Sequence, residues 1–161
     1  PNNALDIYLR ELGSDSPKLV HLIMRSVHKE NCRHIRHLGS RSFGIQYLVR
    51  GLYTHNGLLY LHTQLRNASN VPYDVDFITF KIVDRKVAKR TAIQEQIILP
   101  VRAYNYTTRV AERRDERTVF AFEKFTIPDD KQLVVEIREK SGGRDSLSAT
   151  KISCVHASST S

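Results

Sequence analysis

The densest collection of metal-ligating side chains lies in the run HKENCRHIRH, which holds His28, Cys32, His34 and His37. His28 and Cys32 stand four residues apart, so on a helix they would share a face one turn apart. A zinc site needs a second pair at matching spacing, and none follows. The run therefore reads as the solvated basic face of a helix, and no metal is expected. Asp74 and Asp76 alternate along one strand face and would be solvated at its entrance. Asp129-Asp130, in IPDDK, reads as a turn and not as a paired acid and base. The sequence contains no G-x-S-x-G, no H-E-x-x-H and no phosphate loop. No catalytic residue and no cofactor is expected, and the chain does not read as an enzyme.

The 161 residues amount to about one domain and carry a net charge of +8. Such a surface favours polyanions or an acidic partner. The basic residues fall in three clusters: Arg33, Arg36 and Arg41; Arg85, Lys86, Lys89 and Arg90; and Arg113, Arg114 and Arg117. Glu112, Asp115 and Glu116 interleave the last cluster and nearly neutralise it. Phosphate tracking wants unopposed charge, and no helix-turn-helix, zinc-finger or RRM-type pattern accompanies the clusters. Direct nucleic-acid binding is not the favoured reading. Cys32 and Cys154 lie far apart, outside any C-x-x-C motif, and suit either a disulfide or two free thiols.

Elements must hold these residues in place. Asn3 can cap a helix over ALDIYLREL, with Gly13 as its stop. Ser16 and Pro17 suit the N-cap and first position of a second helix, whose stripe is Leu19, Leu22, Ile23 and Val27. Its basic opposite face can carry the helix to about Leu38, with Gly39 ending it. Residues 1–40 thus form an N-terminal helical segment. From Ser42 the apolar period shortens from 3.6 to 2. Seven strand-like runs follow: FGIQYLVRGLYTH, LLYLHTQLRN, VDFITFKIVD, QIILPVRAY, RTVFAFEKFTI, QLVVEIREK and LSATKISCV. Short spacing and turn chemistry between them predict an immunoglobulin-like antiparallel β-sandwich over residues 41–157, with a disordered tail at 158–161.

Asn56-Gly57 is a two-residue hairpin signal, since both turn residues need positive φ. Uninterrupted pairing outward from His55 and Leu58 sets Leu52 against Leu61 and Leu48 against Leu65 on a core face. It sets Tyr53 against Tyr60, Val49 against Gln64 and Tyr47 against Arg66 on the other. That second face is aromatic and amphipathic. Its cover is either the N-terminal helix, whose stripe must be buried, or a partner protein. For a partner, Tyr47, Tyr53, Tyr60 and Arg66 are the candidate protein-interface residues.

The order of segments carries a resemblance. GLYTHNGLLYLHTQLRNASNVPYDVDFITFKIVDRK, then KRTAIQEQIILPVRAYN, then FTIPDDKQLVVEIREKSGGR resembles the TraN protein family of Bacteroides-type conjugative transposons. The likeness spans Phe43 to Arg144, and the tail after Arg144 matches no familiar pattern. TraN proteins are similar to the outer-membrane core subunits of type IV secretion systems, the TrbG/CagX group. The resemblance implies a structural subunit of a conjugative DNA-transfer apparatus, in the periplasm and associated with the outer membrane. It implies a ring of like subunits, a small lipoprotein partner and a membrane-spanning partner. It brings no catalytic residues. Full-length members begin with an export signal and a further domain, so Pro1 would be a cut point.

Two other functions are compatible with the residues alone. One is a nucleic-acid-binding module of the transfer complex, resting on net charge. The other is a periplasmic ligand-binding sandwich, which needs a pocket with convergent polar groups. The triplets NAS at Asn67 and NYT at Asn105 match the glycosylation acceptor pattern, a match too short to decide anything.

Overall fold

The computed structural model describes residues 16–36, 38–85 and 94–140, and the backbone of 147–152. The helix expected at ALDIYLREL and the C-terminal tail lie outside the described residues. Helix α1 (Pro17–Glu30) starts as its sequence dictates: the Leu19 amide donates to the Ser16 Oγ at 3.2 Å, with Pro17 in the first turn. It ends earlier than expected. Asn31 takes a left-handed conformation at φ 52° and returns its amide to the Val27 carbonyl, so the chain leaves the helix well before Leu38. Asn tolerates that conformation better than most residues, and the following CRHIRH offers no apolar stripe to prolong the helix.

The chain then builds two antiparallel sheets. The first has the order β1-β2-β3-β8-β6, from β1 (Gly39–Ser42), β2 (Ile45–His55), β3 (Leu58–Asn67), β8 (Asp115–Glu123) and β6 (Arg102–Tyr104). The second has the order β10-β9-β4-β5, from β10 (Leu147–Ile152), β9 (Lys131–Glu139), β4 (Tyr73–Asp84) and β5 (Glu95–Ile98). The two-residue strand β7 (Arg109–Val110) pairs with the start of β4. Two stacked antiparallel sheets preceded by a helix are the architecture the strand periodicity predicts. Ten strands are described where seven runs were read. β1 and β7 are too short to show a period. Pro100 divides QIILPVRAY, and its halves join different sheets, because proline cannot donate to a ladder.

The inner faces of the sheets close on one apolar core. Phe80 of β4 meets Phe120 and Phe122 of β8 edge to face, with ring centroids 5.0 and 4.9 Å apart. Ile45, Tyr47, Val49, Leu61, Leu65, Ile82, Val135 and Ile137 fill the space around them. Each large side chain so buried contributes roughly 1.5–3 kcal/mol.

The β2–β3 hairpin follows the expected register only near its turn. Asn56 and Gly57 have φ of 46° and 80°, and Leu52 faces Leu61 and Tyr53 faces Tyr60. A bulge between Val49 and Gly51 then inserts Arg50 as an extra residue. Beyond it Tyr47 pairs with Leu65, Val49 with Thr63 and Leu48 with Gln64. Because side chains alternate, one added residue swaps the faces of everything before it. Tyr47 and Val49 therefore enter the sandwich interior, and Leu48, expected there, turns to the other side.

Candidate functional site

The outer face of the first sheet carries Leu58, Tyr60, His62 and Gln64 from β3, at every second residue, and Arg117, Val119 and Ala121 from β8 alongside. Helix α1 lies over this face. Val20, Met24 and Val27 pack on Leu58, Tyr60, Val119 and Ala121, with Ile23, Tyr53, Val101 and Tyr104 at the margin. The buried stripe is thus rotated from the expected one: Leu19 and Leu22 remain exposed, and Val20 and Met24 are inside. The helical cover, one of the two foreseen for the aromatic face, is the one found.

The interface is apolar toward the start of α1 and polar at its end. There Arg117 donates through Nη1 to the His28 carbonyl at 2.5 Å and approaches His62 Nε2 at 3.3 Å. Arg50, the bulge residue, donates through Nη2 to the Asn31 carbonyl at 3.2 Å and through Nη1 to Gln64 Oε1 at 2.8 Å. Gln64 Nε2 in turn donates to Asp115 Oδ2 at 2.6 Å. Asn105 donates to the Arg117 carbonyl at 2.8 Å, and its Nδ2 lies 3.5 Å from His28 Nε2. Two guanidinium groups rising from the sheet hold the C-terminal carbonyls of the helix, where the helix dipole is negative.

His62 is fully buried in this cluster. Guanidinium only donates, so the nitrogen facing Arg117 must hold a lone pair and the ring proton belongs on Nδ1. Among the described residues Nδ1 has no hydrogen-bond partner. Burial, then the positive charges of Arg117 and Arg50, then His28, pull the His62 pKa down to about 4. Burial and Arg117 lower that of His28 as well. The pair of rings lies 6.4 Å apart.

The four side chains expected to form a docking face do not share a surface. Tyr47 is 2% exposed in the sandwich interior, and Tyr60 is 0% exposed beneath α1. Tyr53 is half-buried against His34, at 5.8 Å between rings. Arg66 alone is exposed. The bulge accounts for Tyr47 and the helix for Tyr60.

The HKENCRHIRH run is dispersed. His28 packs on Tyr104 and faces His62, His34 packs on Tyr53, and Cys32 is exposed. His37 and Cys154 lie outside the described residues. Asp74 pairs with Arg109 at 3.2 Å, whereas Asp76 sits exposed at a second bulge, between Val75 and Phe77. Asn67 is 1% exposed: its Nδ2 donates to the Val71 and Val110 carbonyls, and its Oδ1 accepts from the Ser69 amide and hydroxyl. It is a loop anchor.

Among the described residues the two sheets end in β1 and β10 at one side and in β6 and β5 at the other. β1 runs close to β10 at one flank. At the other, Leu99, Pro100 and Val101 carry the chain from β5 to β6, each the outer strand of its sheet. Ile97 is 59% and Leu99 76% exposed there. A groove of about 310 Å³ lined by Ile82, Gln94, Glu95, Gln96 and Lys131 lies beside this edge. Sequence reading took QIILPVRAY as one strand and did not mark β5 as a docking edge, although three consecutive aliphatic residues at Ile97, Ile98 and Leu99, halted by Pro100, mark an apolar strand that ends abruptly.

A two-sheet antiparallel sandwich capped on one face by an amphipathic helix is the class the geometry defines. The match to a known family runs over residues 17–158, from the first residue of α1 through both sheets. The chain belongs to that family, described as a domain of unknown function, DUF4138. No curated protein matches it.

Proposed function

We propose that this chain is a structural subunit that works by docking to neighbouring proteins, within a conjugative DNA-transfer apparatus of the cell envelope. The observation that carries the docking reading is the β5 edge, outer among the described residues, with Ile97 largely exposed on it and Leu99 just beyond its end. Outer strands offer unpaired main-chain groups to an added strand, and apolar side chains at alternate positions give that pairing affinity and register. The resemblance of the segments between Phe43 and Arg144 to TraN proteins supports the setting: a periplasmic, outer-membrane-associated assembly of like subunits with a lipoprotein and a membrane-spanning partner. Docking moves from the tyrosines to this edge, because Tyr47 and Tyr60 are interior.

A nucleic-acid module is the weaker reading. Arg50 and Arg117 are engaged by the carbonyls of Asn31 and His28 and are not free to meet phosphates. The test is co-purification of the full-length protein from its native envelope, with Ile97→Lys/Leu99→Lys alongside the wild type. The docking reading expects envelope proteins to co-purify with the wild type and to be lost from a variant that keeps its thermal transition. Equal recovery with both, or no envelope protein with either, would overturn it. Salt-sensitive DNA binding at micromolar protein would favour the alternative.

A further inference from the structure

We propose that α1 is a latch released by acid, with His62 as its trigger: a proton taken up at His62 Nε2 ends the hold of Arg117 on the His28 carbonyl and lets the helix leave the sheet. The argument is one of charge and enclosure. His62 is fully buried between the sheet and α1, and Nε2 lies 3.3 Å from Arg117 Nη1. A proton at that nitrogen turns an acceptor into a second donor facing a cation.

Among the described residues, the groups acting on it supply no counter-charge. From α1 comes His28, from β2 Arg50 and from β8 Arg117, while Tyr104 of β6 and the following Asn105 face His28. In the loop after α1, Arg33 adds to the positive field on Arg50. The carboxylates of this cluster act elsewhere: Asp115 accepts from Gln64, and Glu116 acts on His28. Every charged neighbour of His62 thus disfavours its protonation.

Relief requires movement, and the movable element is the helix. A three-sided polar grip holds the end of α1: Arg117 on His28, Arg50 on Asn31, and Asn105 near His28. The sheet beneath is tied by an uninterrupted β3–β8 ladder and by the β2–β3 ladder on either side of the Arg50 bulge. Opening solvates His62 and exposes Leu58, Tyr60, Val119 and Ala121. The lowered pKa of about 4, against an ordinary 6.5, sets the window in which this happens. One linked proton makes the opening equilibrium grow about tenfold per pH unit through that window.

The test is hydrogen exchange, as protection factors, at the amides of Val20, Met24 and Val27 between pH 7 and 4. It is run beside carbon-detected titration of the His62 ring. The wild type should lose protection in α1 about tenfold per pH unit while β4 and β9 keep theirs. The His62→Gln variant should lose most of the acid response in α1, and His28→Gln, which keeps His62 and Arg117, should still open with acid. Loss of α1 and sheet protection together, or an unchanged acid response in His62→Gln, would overturn the latch. Should His62→Gln not fold, the wild type decides: opening of α1 that does not coincide with His62 titration overturns it equally.

Discussion

The Arg117 side chain of β8 donates to the His28 carbonyl in the last turn of α1 at 2.5 Å. Residues 89 positions apart are thereby joined, and an otherwise short amphipathic helix is fixed in register on the sheet. Helices of this length are marginal in isolation, so docking must supply their stability.

Replacing Arg117 with Met keeps the aliphatic stem and removes the donor. A hydrogen bond from a charged group contributes roughly 1.5–3 kcal/mol, and the variant should lose about that much in urea unfolding. Exchange protection in α1 should fall more than in β4 or β9.

The lowered pKa of His62 makes stability depend on pH with a definite sign. The unfolded chain binds the proton near the ordinary 6.5, and the folded chain only near 4. Between these values the unfolded state holds more protons, so stability falls as pH drops. The contribution is complete above about pH 6.5 and falls by at most about 3 kcal/mol by pH 4. Denaturant midpoints measured across that range check it, and His62→Gln should flatten the slope.

Phe43 sits at the tip of the β1–β2 hairpin with φ 49°, followed by Gly44 at φ 80°. Phenylalanine is poorly suited to that region, and its ring is 69% exposed, so it returns little packing. Phe43→Asn should therefore stabilise the fold, by about 0.5–1 kcal/mol, read as a higher thermal midpoint. A variant that is more stable yet fails to bind envelope partners would mark the ring as a contact.

Asn67→Ala removes a buried side chain that makes four hydrogen bonds, to Val110 and to the loop after β3. The Val110 carbonyl loses the Asn67 amide as a donor, and the turn through Ser69 loses its anchor. The cost should be about 2–4 kcal/mol in chemical denaturation. Intact mass of the folded protein should show no modification at Asn67, since its amide nitrogen is engaged.

Much of the fold was legible because local chemistry and packing agree. Ser16-Pro17 starts a helix, Asn56-Gly57 turns a hairpin, and the alternating runs become strands. The docking face was misread because a bulge leaves little trace in composition. Arg50-Gly51 looks like any polar step in a strand. The hint is the glycine, where an added Cβ would come within 3.0 Å of the Tyr53 ring. The His62 cluster escaped notice for a different reason. Arg50, His62, Gln64 and Arg117 come from three strands, so their meeting depends on tertiary pairing. His62 and Gln64, polar on the same face as Tyr60, were the available clue.

Arg50 splits β2 into two reading frames. Odd-numbered positions from Ile45 to Val49 look inward, whereas beyond the insertion the inward position is the even-numbered Leu52. Tolerance to substitution along this strand should change parity at one residue. Excising Arg50 would do more harm than replacing it, because a single deletion would force either Tyr47 and Val49 out into water or the Asn56-Gly57 turn out of step.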